Sequence, residues 1–210
     1  MRKLLYSNGS PFARRVRILL VEKHLDYEGD VYDGIRPVEN ILSHNPALQV
    51  PVLYDEGQHL WGTNLIIDYL VATYPDPRAS VTEAPLSPSI TREARHWEDR
   101  LILETADALA HAVVNIRPIT IDTEAKGVRF IDRHQTRIGT CLDWLETQIH
   151  DKGFWPGTFS VMDINLLCPL LYAEDRGIFD FRTGQWPKVA AMVDSWGLRQ
   201  SVLSTAINAN

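Results

Sequence analysis

The sequence predicts two domains of different class, an α/β domain followed by an all-helical one, within 210 residues. Three observations carry this. Short runs of strand length alternate with helical spacing up to about residue 73. The stretch from Tyr74 to Ser89 then holds Pro75, Pro77, Pro85 and Pro88 and has no periodicity. Beyond it strands vanish and long helical patterns take over. The expected boundaries are 1–77 for the first domain, 78–88 for the linker and 89–210 for the second.

Each element has a local reason. Lys3 to Tyr6 forms a strand and Ser7-Asn8-Gly9 a turn. Ser10 is an N-cap with Pro11 at the first helical position, and Phe12, Val16, Leu19 and Leu20 follow at helical spacing, ended by Lys23. Tyr27 to Tyr32 forms a second strand, and Pro37 to Ser43 a short or irregular helix. Val52–Tyr54 and His59–Trp61 are two strands around the turn Asp55-Glu56-Gly57. Asn64 is suited to cap the next helix, with Ile66, Tyr69, Leu70 and Thr73 as its inner face. In the second domain, helices are expected over Thr91 to about Asn115 and Asp122 to about His150. Val161–Asp175 is nearly all apolar, which marks a helix buried on all sides; Pro169 implies a kink and Gly177 a C-terminal stop. Ser160 and Asp163 form a capping box flanked by Phe159 and Ile164 at staple positions. Pro187–Trp196 is a further helix, and the tail adds a turn.

Composition narrows the function. A net charge of −6 and a pI near 5.6 argue against nucleic-acid binding. Charge is uneven, however. Met1–Leu25 holds Arg2, Lys3, Arg14, Arg15, Arg17 and Lys23 against Glu22 alone, which describes either an anion-attracting end or a solvated helix face. Cys141 and Cys168 make no C-x-x-C pair, and the default for them is free thiols in a reducing compartment. No apolar run reaches transmembrane length and Met1 opens almost directly into a strand, so a cytoplasmic chain without a membrane partner is expected. Seven scattered histidines form no metal spacing, and no nucleophile elbow, phosphate loop or dinucleotide fingerprint occurs.

Four motifs in order resemble the cytosolic glutathione transferase family over nearly the whole chain. They are Ser10-Pro11-Phe12-Ala13-Arg14-Arg15-Val16-Arg17 after the first strand, Asn45-Pro46 with Val50-Pro51-Val52-Leu53, the Ser160–Asp163 helix start, and Arg199-Gln200-Ser201-Val202 with Thr205. The resemblance implies a thioredoxin-like α/β domain plus an all-α domain. Glutathione is the implied co-substrate, a small hydrophobic electrophile the second substrate, and a homodimer the assembly. It further implies a cis peptide bond before Pro51, with Val50 pairing with the tripeptide backbone. Phe12, Gln49, Pro51, Thr63 and Asn64 complete the implied glutathione site. Arg199, Ser201 and Thr205 are expected to dock the tail.

Ser10-Pro11-Phe12-Ala13 stands where thioredoxin-type enzymes carry C-P-x-C, so dithiol exchange through this motif is excluded and the thiol must come with the ligand. The Ser10 hydroxyl can donate to a thiolate, at ~1.5–3 kcal/mol for a charge-assisted bond. The helix end adds ~0.3–1 kcal/mol. Together they lower a thiol pKa by roughly one to three units. Ser10 as a plain N-cap stays open beside this role, and Tyr6 at the end of the first strand is the competing hydroxyl. Departures from the family pattern fall at the glutathione site. Thr63-Asn64 stands for an acidic residue or Gln followed by Ser, Gln49 for Lys, and Leu48 for Gly. They keep open a second reading, a non-catalytic interaction module or apolar-ligand carrier on the same fold. Trp97, Leu101, Glu104, Ala108, His111 and Asn115 share one helix face, which describes a wall of the electrophile pocket or a packing face.

Overall fold

The computed structural model describes residues 1–32, 39–75, 86, 95–122 and 129–207. In chain order the elements are β1 (Lys3–Tyr6), α1 (Pro11–Glu22), β2 (Glu28–Val31), α2 (Glu39–Leu42), β3 (Val52–Asp55), β4 (Gln58–Trp61) and α3 (Thr63–Thr73). Then follow α4 (His96–Asp122), α5 (Arg129–Gln148), α6 (Val161–Asp175), α7 (Pro187–Trp196) and α8 (Gln200–Leu203). The chain divides into two units, Met1–Thr82 together with Arg199–Asn210, and Glu83–Leu198. The tail therefore groups with the first unit, whereas the expected boundary 89–210 placed it with the second. Most of the linker expected at 78–88 lies outside the described residues.

In the first unit the sheet order is β2-β1-β3-β4. β1 and β2 are parallel, joined through α1, and the other two pairings are antiparallel. Leu4 and Leu53 are fully buried, as are Val16, Leu19 and Leu20 of α1 and Ile66 and Leu70 of α3. α1 and α3 pack against each other. The inner face of α3 is Thr63, Ile66, Ile67 and Leu70; Tyr69 is half-buried and Thr73 exposed, a correction to the expected stripe. The basic run on α1 is not a solvated face. Arg15, Arg17 and Lys23 are buried, and Lys23 Nζ donates to the Tyr74 carbonyl at 2.8 Å.

At the end of the sheet where β3 finishes, Arg2 Nε lies 3.2 Å from Asp55 Oδ2, and the Tyr74 hydroxyl donates to the same oxygen at 2.6 Å. Burial, then the Asp55 carboxylate, push the Tyr74 hydroxyl up to about 12.

In the second unit α4 packs on α5 and α6, and α7 packs on α5 and α6. α4 runs past the expected stop at Asn115 and contains Pro118. A proline inside a helix costs ~3 kcal/mol, which is why local preference stops earlier; the buried Val113 and Ile116 carry the helix on. The expected start at Thr91 lies outside the described residues; Asp122, expected to open the next helix, instead ends α4, and α5 is described from Arg129. α5 ends at Gln148, and His150 pairs with Gly153 in an isolated bridge.

α6 spans Val161–Asp175 and is buried on nearly every side, with Pro169 inside and Gly177 just beyond at φ 59°. Its capping box is complete. Ser160 Oγ accepts from the Asp163 N–H, and Asp163 accepts from the Ser160 N–H at 2.8 Å and Ser160 Oγ at 2.6 Å. Phe159 and Ile164 are buried beside it. The first turn of α7 is capped from another helix, because Glu146 accepts the N–H groups of Lys188 and Val189 at 2.8 and 2.9 Å.

Candidate functional site

Register brings the sequence-predicted residues of the first unit to one end of its sheet. Leu5 opposes Val52, which opposes Trp61. The end of β1, the start of β3 and the end of β4 therefore coincide. From there the chain leaves through Ser7–Ser10 into α1, arrives through Val50 and Pro51 into β3, and leaves again through Gly62 into α3. Both α1 and α3 begin at this end. Neither has an acidic residue in its first turn, so the positive ends of two helix dipoles stand there uncompensated by their own sequence.

Ser10 is the N-cap of α1 at φ −86° and ψ 118°, half-buried, and its Oγ accepts from the Ala13 N–H at 3.2 Å. A hydroxyl that accepts one bond keeps its own proton to donate, so capping and thiolate stabilisation are compatible. Pro11 at the next position brings no N–H, and Phe12 is half-buried with the Arg15 guanidinium 5.1 Å from its ring centre. Tyr6, the competing hydroxyl, is packed elsewhere. Its ring meets Tyr27 edge-on, lies 4.6 Å under the Arg17 guanidinium, and covers Gly29 so closely that a Cβ there would sit 3.1 Å from it.

The Val50–Pro51 bond is cis; Pro51 is buried and Val50 half-buried. The loop before it is organised by Asn45, whose Nδ2 donates to the Gln49 carbonyl at 2.7 Å and whose Oδ1 accepts from the Ala47 N–H at 2.8 Å. Asn45 stands in the Asn45-Pro46 motif, and its loop-organising role is visible only in the folded chain; the Asn-Pro pair is the local signal for the turn. Gln49 is exposed, and Leu48 is exposed at φ 55°. That left-handed backbone is the physical reason glycine suits position 48.

Asn64 does not cap α3. The N-cap is Gly62, at φ 90° and ψ 120° and with no side-chain bond; Thr63 is the first helical residue and Asn64 the second. Thr63 is buried and Asn64 exposed. The helix opens two residues earlier than expected because a glycine tolerates that backbone. Gly62 was missed for want of any side-chain signal.

In the second unit the six residues proposed for a pocket wall or packing face lie on the exposed side of α4, with Trp97 76% and Leu101 57% accessible. The packed side is Ile102, Ala106, Leu109, Ala110 and Val113. A cavity of about 480 Å³ lies elsewhere in this unit, among Gln135, Glu174 and residues 177–181, and includes none of the predicted site residues. Among the described residues no helix is long and apolar enough to cross a membrane, and no group of three or more His, Cys, Asp or Glu is placed to hold a metal.

Residues 4–78 match the family model of the glutathione S-transferase N-terminal domain. A maleylacetoacetate isomerase of Pseudomonas aeruginosa is 30% identical over 192 residues, covering 86% of this chain and 84% of that protein. Glutathione S-transferase U8 of Arabidopsis thaliana is 34% identical over 165 residues, covering 75% and 73%. A glutathione S-transferase crystal structure from Methylobacillus flagellatus, with glutathione bound, superposes with a TM-score of 0.81 at 27% identity over 98% of this chain and 99% of that one. With a thioredoxin-like sheet, a helix started by Ser10-Pro11 and these relatives across most of its length, the chain belongs to the glutathione S-transferase family.

Proposed function

We propose that the protein is a glutathione transferase whose first unit binds glutathione and holds its sulfur as thiolate at the start of α1. The observation that carries this is the meeting of Ser10 with two helix N-termini free of acidic residues at one end of the sheet. Ser10 Oγ–H donates to the thiolate, and the dipole of α1 adds to it. Val50 offers its backbone to the cysteinyl portion. Pro51 and Phe12 shape the floor, and Gln49 donates to the glycyl carboxylate. Thr63 and the first-turn N–H groups of α3 take the γ-glutamyl carboxylate, with Asn64 at the rim.

The thiolate attacks an electrophilic carbon of a small hydrophobic substrate. A C–S bond forms and the thiol proton passes to solvent; either a leaving group departs with the bonding pair, or a double bond opens and its far carbon takes a proton back from solvent. We also infer a cytoplasmic homodimer; a solution mass of 23.9 kDa by light scattering would refute the dimer.

The test is calorimetric titration with reduced glutathione and with an S-alkyl glutathione, followed by electrophile screening. Binding of both in the micromolar to millimolar range, with turnover of an electrophile, is expected. Absence of binding by either ligand refutes the reading and favours a docking module or carrier.

A further inference from the structure

The last described residues of the chain lie along the helix that carries Ser10, and their contacts are charged and directional. Glu22, the final residue of α1, is a carboxylate at a helix C-terminus, where the dipole disfavours negative charge. Its side chain is only 8% accessible, yet it receives three donors from the tail. Arg199 Nε and Nη2 reach its two oxygens at 3.0 and 2.8 Å in a fork, and Ser201 Oγ donates at 2.5 Å. Further along, Arg14 Nη2 donates to the Val202 carbonyl at 3.0 Å and Arg17 Nη1 to the Thr205 carbonyl at 3.2 Å. The Val202 carbonyl belongs to the last turn of α8 and the Thr205 carbonyl lies two residues beyond it, so arginines of α1 hold both the end of α8 and the chain that leaves it. Ser201, Val202 and Thr205 are buried. The tail supplies partners for Glu22, Arg14 and Arg17, the last of which also lies over the Tyr6 ring and donates to the Tyr27 hydroxyl at 3.4 Å.

We propose that Arg199–Thr205 is a clasp that holds α1 in place, so that Glu22 and Arg199 are positioning residues for the thiol site. They act through a rigid element, since twelve residues of helix separate Glu22 from Ser10 by about 18 Å. With the clasp closed, the first turn of α1 presents Ser10 Oγ and its N–H groups in a fixed direction. With it open, α1 keeps its apolar packing, the Lys23–Tyr74 bond and the Arg17 contacts with Tyr6 and Tyr27, but loses the charge-assisted, directional anchor at its last residue. The reach to the thiol rests on the functional reading above; the clasp itself does not.

The experiment uses the full chain and three forms: Glu22→Gln, Arg199→Gln, and the exchange Glu22→Arg with Arg199→Glu. Amide hydrogen exchange reads the clasp without any ligand. In both single variants the amides of α1 lose protection about tenfold while those of α5 and α7 keep theirs, and the exchanged pair regains most of it. Unchanged protection in α1, equal loss throughout the chain, or no recovery in the exchanged pair overturns the clasp.

The second readout is the pH titration of glutathione's thiolate absorbance in the complex. Its midpoint rises in the single variants by about half a unit to one unit and returns in the exchanged pair. A midpoint unmoved while α1 loses protection overturns the positioning role and leaves only a structural clasp. If the unaltered chain binds no glutathione, the functional reading fails and the exchange data still decide the clasp.

Discussion

Removing the Ser10 hydroxyl separates two tasks that one atom performs. Ser10 Oγ accepts from the Ala13 N–H at 3.2 Å, and an N-cap of this kind contributes ~0.5–2 kcal/mol to stability. Its proton is proposed to stabilise the bound thiolate by ~1.5–3 kcal/mol. Ser10→Ala loses both. Ser10→Gly loses the hydroxyl but retains most of the cap, because glycine at an N-cap costs only a few tenths of a kcal/mol. The two variants should therefore differ in denaturation midpoint and agree in chemistry. In both, the thiol pKa of bound glutathione rises by about one to two units. At neutral pH kcat/KM then falls about 10- to 100-fold, and the deficit shrinks as pH is raised toward the new pKa. The assay is a pH profile of kcat/KM with a chromogenic electrophile, alongside urea unfolding of each variant. Full activity in Ser10→Gly at neutral pH would refute the role. So would a deficit of equal size at every pH, since that points to lost binding rather than lost thiolate.

Asp163 is buried and its carboxyl is pushed up from 3.8 to about 6, chiefly by burial and against the pull of its Ser160 and Phe154 hydrogen bonds. Between about pH 4 and 6 the folded chain holds a proton that the unfolded chain has released, so this group's contribution falls as pH rises through that window, by about 3 kcal/mol in all. In Asp163→Asn that slope disappears from urea-unfolding free energies, and the amide meets a donor where a carboxylate accepted, at ~1–3 kcal/mol; an unaltered slope refutes it. Gly153→Ala places a Cβ 2.5 Å from Asp163 Oδ1 and lowers stability by ~1–3 kcal/mol in thermal unfolding; a neutral effect counts against this packing. Leu48→Gly relieves a left-handed backbone at φ 55° and raises stability by ~0.5–1 kcal/mol after the flexibility it adds to the unfolded chain, while a loss refutes it. Thr63→Val removes a hydroxyl while keeping shape and weakens glutathione binding by roughly two- to tenfold in calorimetry; equal affinity removes Thr63 from the site.

Local chemistry made much of the fold legible before any coordinates. The Ser10-Pro11 start of α1, the hairpin turn at Glu56-Gly57, and the capping box and extent of α6 each depend on residues within a few positions of one another. Caps, turns and periodicity act over that range, so a sequence displays them directly. The cis bond before Pro51 was legible through a motif resemblance instead.

What tertiary structure alone decided lies where partners are distant in the chain or where a residue offers no side chain. Glycine at 62, not Asn64, opens α3 because of a backbone angle that leaves no mark in the residue pattern. Glu146 caps α7 from forty-two residues away, and Glu22 meets Arg199 across 177. The apolar stripe of α4 was visible in outline, yet Trp97 and Leu101 fall on the accessible side and Ala106 and Ala110 on the packed one. A helical period marks faces without saying what lies against each. The same limit hid the use of the arginines on α1. Their charge was plain in the sequence, but only the returning tail determines that they hold backbone carbonyls rather than water or a ligand.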